Sequence, residues 1–137
     1  MEPEILARIT TARAARDLSD LARQAVATTA ETTSPAERIM QARRLRQMAN
    51  EIVDLVVLAE ALAGTPWDEI TQALKRQDPD TVRDEYEDAV AEWETMPEDR
   101  KTSTAAGLED LDAWYARHRE DPDPEISTPV ADLLNRH

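Results

Sequence analysis

Apolar residues in this chain recur at intervals of three and four from its first turn onward, with polar residues filling the positions between. That period marks amphipathic helices, whose apolar side chains gather on one face every 3.6 residues. The first run opens at Pro3 and extends to about Ala30, with Ile5, Leu6, Ile9, Ala12, Leu18, Leu21, Ala22, Ala25 and Val26 in a narrow stripe. The threonines Thr28, Thr29, Thr32 and Thr33 lower helix propensity and end it. Ser34-Pro35-Ala36-Glu37 is then a full capping box with proline at the first helical position. From there a second helix is expected to run to Ala63, roughly 28 residues or about 42 Å at 1.5 Å per residue. Its second half, Ile52 to Leu62, is apolar almost all round, which predicts burial on several sides. Two long helices joined by a short threonine-rich loop make an antiparallel hairpin. A bare hairpin cannot bury that much apolar surface. Either it packs on a second copy as a four-helix homodimer core, or the later helices fold back over it.

Residues 59–93 punctuate the chain. Gly64 is the expected left-handed residue that closes the second helix, Thr65 the next cap, and Pro66 the first helical position, with Asp68 three residues after the cap. Trp67, Ile70, Ala73 and Leu74 share a face of this short helix. Asp78-Pro79 repeats the cap-plus-proline signal, and Val82, Tyr86, Ala89, Val90 and Trp93 line a longer one. Met96-Pro97 ends it, Glu98 to Thr104 reads as a polar connector, and a further helix is expected over Ala105 to His118, with Leu108, Leu111, Trp114 and Tyr115 apolar. Asp121-Pro122-Asp123-Pro124 is an extended acidic stretch that no helix can cross. Thr128-Pro129 caps a last short turn, Val130 to Asn135, able to dock on its own domain or on another protein. The expected fold is all-α: a long antiparallel hairpin, a helix-turn-helix-like pair, one further helix and a proline-containing acidic tail. Residues 1–120 read as a single helical domain and 121–137 as linker and tail.

The spacing Gly64, Trp67, Glu69-Ile70, Ala73-Leu74, Val82 and Tyr86 resembles a helix-turn-helix of the sort found in actinobacterial DNA-binding proteins and sigma-factor region-four-like domains. The resemblance covers about 30 of the 137 residues. It implies a second helix presented to the major groove of double-stranded DNA. This sequence departs from the pattern in two places. Lys75-Arg76-Gln77-Asp78 makes the turn about one residue longer and lacks the usual glycine, and the start of the would-be recognition helix, Asp78-Pro79-Asp80-Thr81, puts carboxylates where phosphates would lie. The same apolar residues read equally well as plain core.

Charge sharpens the picture. The net charge is −13, but residues 1–50 carry eight arginines against six carboxylates, a net of +2, while residues 51–137 carry a net of −15. Only the first half offers a cationic surface to a polyanion. The nucleic-acid candidates are Lys75, Arg76 and Arg83 around the helix-turn-helix, and Arg38, Arg43, Arg44 and Arg46 on the second helix, where Arg43 and Arg46 share a face. No aromatic is interleaved among the latter, so base stacking is not suggested.

Catalysis finds no footing. There is no cysteine and there are only two histidines, His118 and His137. Two glycines cannot build a phosphate-cradling loop, and no metal-ligand, nucleophile-elbow or EF-hand spacing occurs. No enzyme activity, cofactor or metal is expected. No apolar run approaches the roughly 18 residues that cross a bilayer, and the N-terminus lacks the order of a signal peptide, so a cytoplasmic setting without a membrane partner is expected. Two functions follow. One is a small, dimeric, DNA-associated regulator with a degenerate helix-turn-helix. The other is an acidic helical interaction module, or a mimic of the DNA backbone, that binds a protein partner through the later helices or the tail and does not itself bind DNA.

Overall fold

The computed structural model describes residues 1–30 and 33–135; Thr32 of the threonine-rich loop and the terminal His137 lie outside the described residues. Among the described residues there is no strand. The order is α1 (Pro3–Thr28), α2 (Pro35–Leu62), α3 (Trp67–Ala73), α4 (Pro79–Glu94), α5 (Glu98–Ala105), α6 (Leu108–His118) and a 3-10 turn (Ala131–Asn135). The protein is therefore all-α, with a long N-terminal helix pair.

Local chemistry sets most of these boundaries. Ser34 caps α2 by accepting a hydrogen bond from the Glu37 N–H at 3.2 Å, with Pro35 at the first position. Asp78 caps α4 through the Asp80 N–H, 3.1 Å away, and also accepts from the Thr81 hydroxyl. The start of α3 differs from expectation. Pro66 itself is the cap residue, with extended backbone, and Trp67 is the first helical residue. Thr65 turns back instead, its hydroxyl donating to Glu60 at 2.7 Å.

The stretch Glu98 to Thr104 is not a connector but the helix α5, started by Pro97 with Glu98 and Asp99 in its first turn, where the positive end of the helix dipole favours carboxylates. It has no apolar stripe to reveal it, and none of its residues is buried. Both ends of the break that follows are held by Arg13 of α1, whose guanidinium donates to the carbonyls of Thr104 (3.0 Å) and Ala106 (2.7 Å). Gly107 takes a left-handed conformation (φ 79°), so α6 begins at Leu108 rather than at Ala105.

The helices pack around the base of the hairpin. In one cluster Ile5 and Ile9 of α1 meet Leu108 and Leu111 of α6 and Val130 of the tail. A second joins Ala7 to Leu58 and Ala59, under Val90 and Trp93 of α4. A third sets Val57 of α2 against Ile70 of α3 and Val82 of α4, with Trp67, Leu74 and Tyr86 at its margin. The tail docks on its own chain. Val130 is buried, and the buried carboxylate of Asp112 accepts the N–H groups of Val130 (2.8 Å) and Ala131 (3.1 Å). Two otherwise unpartnered donors at the start of the 3-10 turn are thereby satisfied.

Along the hairpin, Gln41, Leu45, Met48, Ile52, Leu55, Ala59 and Leu62 follow the alternating spacing of four and three that keeps one seam on a neighbouring helix, and each is at least partly covered. The expectation that Ile52 to Leu62 is buried on several sides holds only for Val57, Leu58 and Ala59; Val53 and Val56 remain 46 % and 45 % exposed. The later helices fold back over the base of the hairpin and reach as far as Asp20 of α1, through Trp114, and Asp54 of α2, through Tyr86. None of the described residues between Thr10 and Val56 is buried. Beyond those contacts α1 and α2 form a two-helix arm, roughly 12 Å long for the stretch of α1 from Leu21 to Thr28.

Candidate functional site

The pair α3–α4 has the connectivity expected of a helix-turn-helix. Its turn is closed by Lys75 in the left-handed conformation (φ 57°), with the Arg76 N–H returning to the Thr71 carbonyl at 3.0 Å. A glycine is the favoured residue in that conformation, and a side chain there costs on the order of 1–2 kcal/mol. Trp67 stacks on Tyr86 with ring centroids 6.5 Å apart, which ties the two helices together.

Two of the three cations of this pair lie beside carboxylates of the same pair, while Lys75 is exposed and makes no ion pair among the described residues. Arg76 meets Glu85 at 2.7 Å, and Arg83 lies 3.9 Å from Asp80. The hydrogen bond between Arg76 and Glu85 raises the guanidinium pKa and lowers that of the carboxyl. Asp78, held by the Thr81 hydroxyl and the Asp80 N–H, is likewise kept below the usual carboxylate range and stays charged at the position where a reading helix would enter a groove. Along the exposed face of α4, Asp84, Glu87, Asp88 and Glu94 have no ion-pair partner among the described residues.

The second arginine set divides. Arg38 donates to the Thr33 carbonyl at 2.6 Å and so braces the hairpin loop. Arg43, Arg44 and Arg46 are exposed and, among the described residues, make no ion pair. They line one open groove of about 680 Å³ along α2, with Met40, Gln47 and Asn50, and with Glu51 and Asp54 at its far end. The structure thus brings Arg43, Arg44 and Arg46 together along α2 and leaves Lys75, Arg76 and Arg83 on the separate α3–α4 pair, where Arg76 and Arg83 each lie beside a carboxylate.

Two polar links have no signal in the sequence because their partners lie far apart in the chain. The Tyr86 hydroxyl donates to Asp54 of α2 at 2.8 Å, and the Trp114 indole N–H donates to Asp20 of α1 at 3.2 Å. The second bond, with help from Arg23, holds the Asp20 carboxyl below its usual range. Burial, and then the Asp54 hydrogen bond, push the Tyr86 phenol up to about 12. Because the folded state favours the protonated phenol, its contribution to stability is complete below about pH 10, the ordinary tyrosine value, and is lost as pH rises through about 12. A difference titration by ultraviolet absorbance between the natural chain and Tyr86→Phe is expected to show one phenol ionising near pH 12; ionisation near the ordinary value would mean that α4 is not anchored to Asp54.

Among the described residues, no group of three or more His, Cys, Asp or Glu is placed to hold a metal ion, and no helix is long and apolar enough to cross a membrane. No protein-family model, curated protein or solved structure matches the chain.

Proposed function

We propose that this protein is a non-enzymatic regulatory module, working in the cytoplasm, that uses the carboxylate face of α4 to bind a basic surface on a protein partner and does not read duplex DNA through its helix-turn-helix-like pair. One observation carries this reading. The helix in the position of a reader opens on Asp78 and Asp80, and its neighbouring cations Arg76 and Arg83 each lie beside a carboxylate of the same unit. A helix so equipped would meet phosphates with like charge, and the rest of the acidic second half would add long-range repulsion. The same face complements a cationic groove, where Asp84, Glu87 and Asp88, without ion-pair partners among the described residues, supply steering and charge-assisted hydrogen bonds. The α3–α4 unit then serves as a rigid mount for that face.

The second reading is a DNA-associated regulator that grips phosphates through the arm. Arg43, Arg44 and Arg46 favour it because they are exposed along one groove and make no ion pair among the described residues. Titration of a labelled duplex and of a labelled Lys/Arg-rich helical peptide at low and moderate salt separates the two. The module is expected to leave the duplex unbound even at low salt. It should bind the peptide with an affinity that falls as salt rises and drops about tenfold or more in Asp84→Asn/Glu87→Gln/Asp88→Asn. Duplex binding with a steep negative salt slope, lost in Arg43→Gln/Arg44→Gln/Arg46→Gln, would replace this reading with the second.

A further inference from the structure

Helix α2 carries a second heptad seam that stays exposed along its whole length. Ile39, Ala42, Arg46, Ala49, Val53 and Val56 follow one another at intervals of three, four, three, four and three, and all six are exposed. Ile39 is 61 % exposed. A helix at the surface of a monomer needs one such seam, and α2 already has it, facing α1. Alternating intervals of three and four keep side chains aligned on a straight neighbour over several turns, so a second seam marks a second helical neighbour. The stretch of α2 that bears it, residues 39–56, has no buried residue, a state that a helix pair stabilises poorly.

We propose that this seam pairs with the same seam of a second copy, the two α2 helices running antiparallel, so that the two arms form a four-helix bundle with a body at each end. Three features select this occupant and this direction. Side-chain sizes are self-complementary in reverse: Ile39 faces Val56 of the second copy, Ala42 faces Val53, and Arg46 faces the small Ala49. A parallel pair would instead set Arg46 against its own counterpart in one layer. Charge agrees. Arg43 and Asp54 flank the seam on the same side, and the antiparallel register brings each against the other's counterpart, twice by symmetry. Finally, the seam ends in an apolar groove of about 270 Å³ between α2 and α3, lined by Val53, Val56, Ile70, Ala73 and Leu74. Ile39 of the second copy arrives at that groove. The proposal stands apart from the reading of α4, whose carboxylate face is a different surface.

Sedimentation equilibrium of the full chain, from micromolar to tens of micromolar, tests it. The expected mass is twice the 15.4 kDa of one chain, falling to one chain in Val53→Glu/Val56→Glu with the helical circular dichroism retained. Should that variant lose helix, Ile39→Lys, at the far end of the arm, carries the same test. Direction is read by cysteine cross-linking, which the absence of natural cysteine makes clean. A mixture of Ile39→Cys and Val56→Cys chains is expected to form a disulfide-linked heterodimer, while neither variant links to itself. A natural chain that stays monomeric, a folded glutamate or lysine variant that remains fully dimeric, or Ile39→Cys linking to itself would overturn the proposal.

Discussion

Ile9→Ala is expected to destabilise the protein by roughly 2–5 kcal/mol, the range for removing a buried isoleucine branch and leaving a cavity. Ile9 is fully buried, and it stands where α1, α6 and the tail meet, in one cluster with Leu108, Leu111 and Val130. Its loss therefore weakens three elements at once. Among the described residues neither α6 nor the tail belongs to another buried apolar cluster, and the Asp112 bonds to Val130 and Ala131 hold only while α6 stays in place. Urea unfolding followed by far-ultraviolet circular dichroism is expected to show the midpoint falling, and a thermal scan a drop in Tm of roughly 10 °C, given that about 1 kcal/mol corresponds to several degrees in a domain of this size. A loss below about 1 kcal/mol would mean that the tail and α6 do not pack on α1 as described.

Trp67→Ala should cost about 3 kcal/mol, the lower end of the range for tryptophan, because Trp67 is partly exposed. Its ring stacks on Tyr86 and closes the cluster of Val57, Ile70 and Val82. Helix α3 has only seven residues, too few to persist without that packing. The substitution is expected to melt α3 first and to free the Tyr86 phenol from its anchored environment, bringing its ionisation down from about 12 toward the ordinary value. Amide exchange resolved by residue would show protection lost across 67–74 ahead of α1. Uniform loss across all helices at the same denaturant concentration would instead make α3 part of one cooperative unit with the hairpin.

These two sites also divide what local pattern reveals from what it hides. Spacing alone places Trp67, Ile70, Leu74 and Val82 on facing helix surfaces, and it places Ser34 and Asp78 at caps, because both judgements concern residues within one or two turns of each other. Helix α5 cannot be found that way, since its residues are polar on every side and only proline and two carboxylates mark its start. Arg76 and Arg83 read in the sequence as cations available to phosphate. Their carboxylate partners, Glu85 and Asp80, are visible there too, but which pairs form depends on the turn geometry set by Lys75. Arg43, Arg44 and Arg46 read the same way, and the fold leaves them without an ion-pair partner among the described residues. The exposed seam from Ile39 to Val56 is a second heptad in plain view, yet on spacing alone it merges with the first into one broad apolar surface.

By itself the sequence determined every helix but α5, most of their ends, the long hairpin and the uneven spread of charge, because periodicity, capping and composition act over a few neighbouring residues. Tertiary structure decided which apolar faces are covered, which arginines are neutralised and where the tail rests. Each of those depends on contacts between residues distant in the chain, as between Trp114 and Asp20 or between Arg13 and Thr104. Such contacts form only where helices from different parts of the sequence come within hydrogen-bonding or van der Waals range, and no local pattern states which helices those will be.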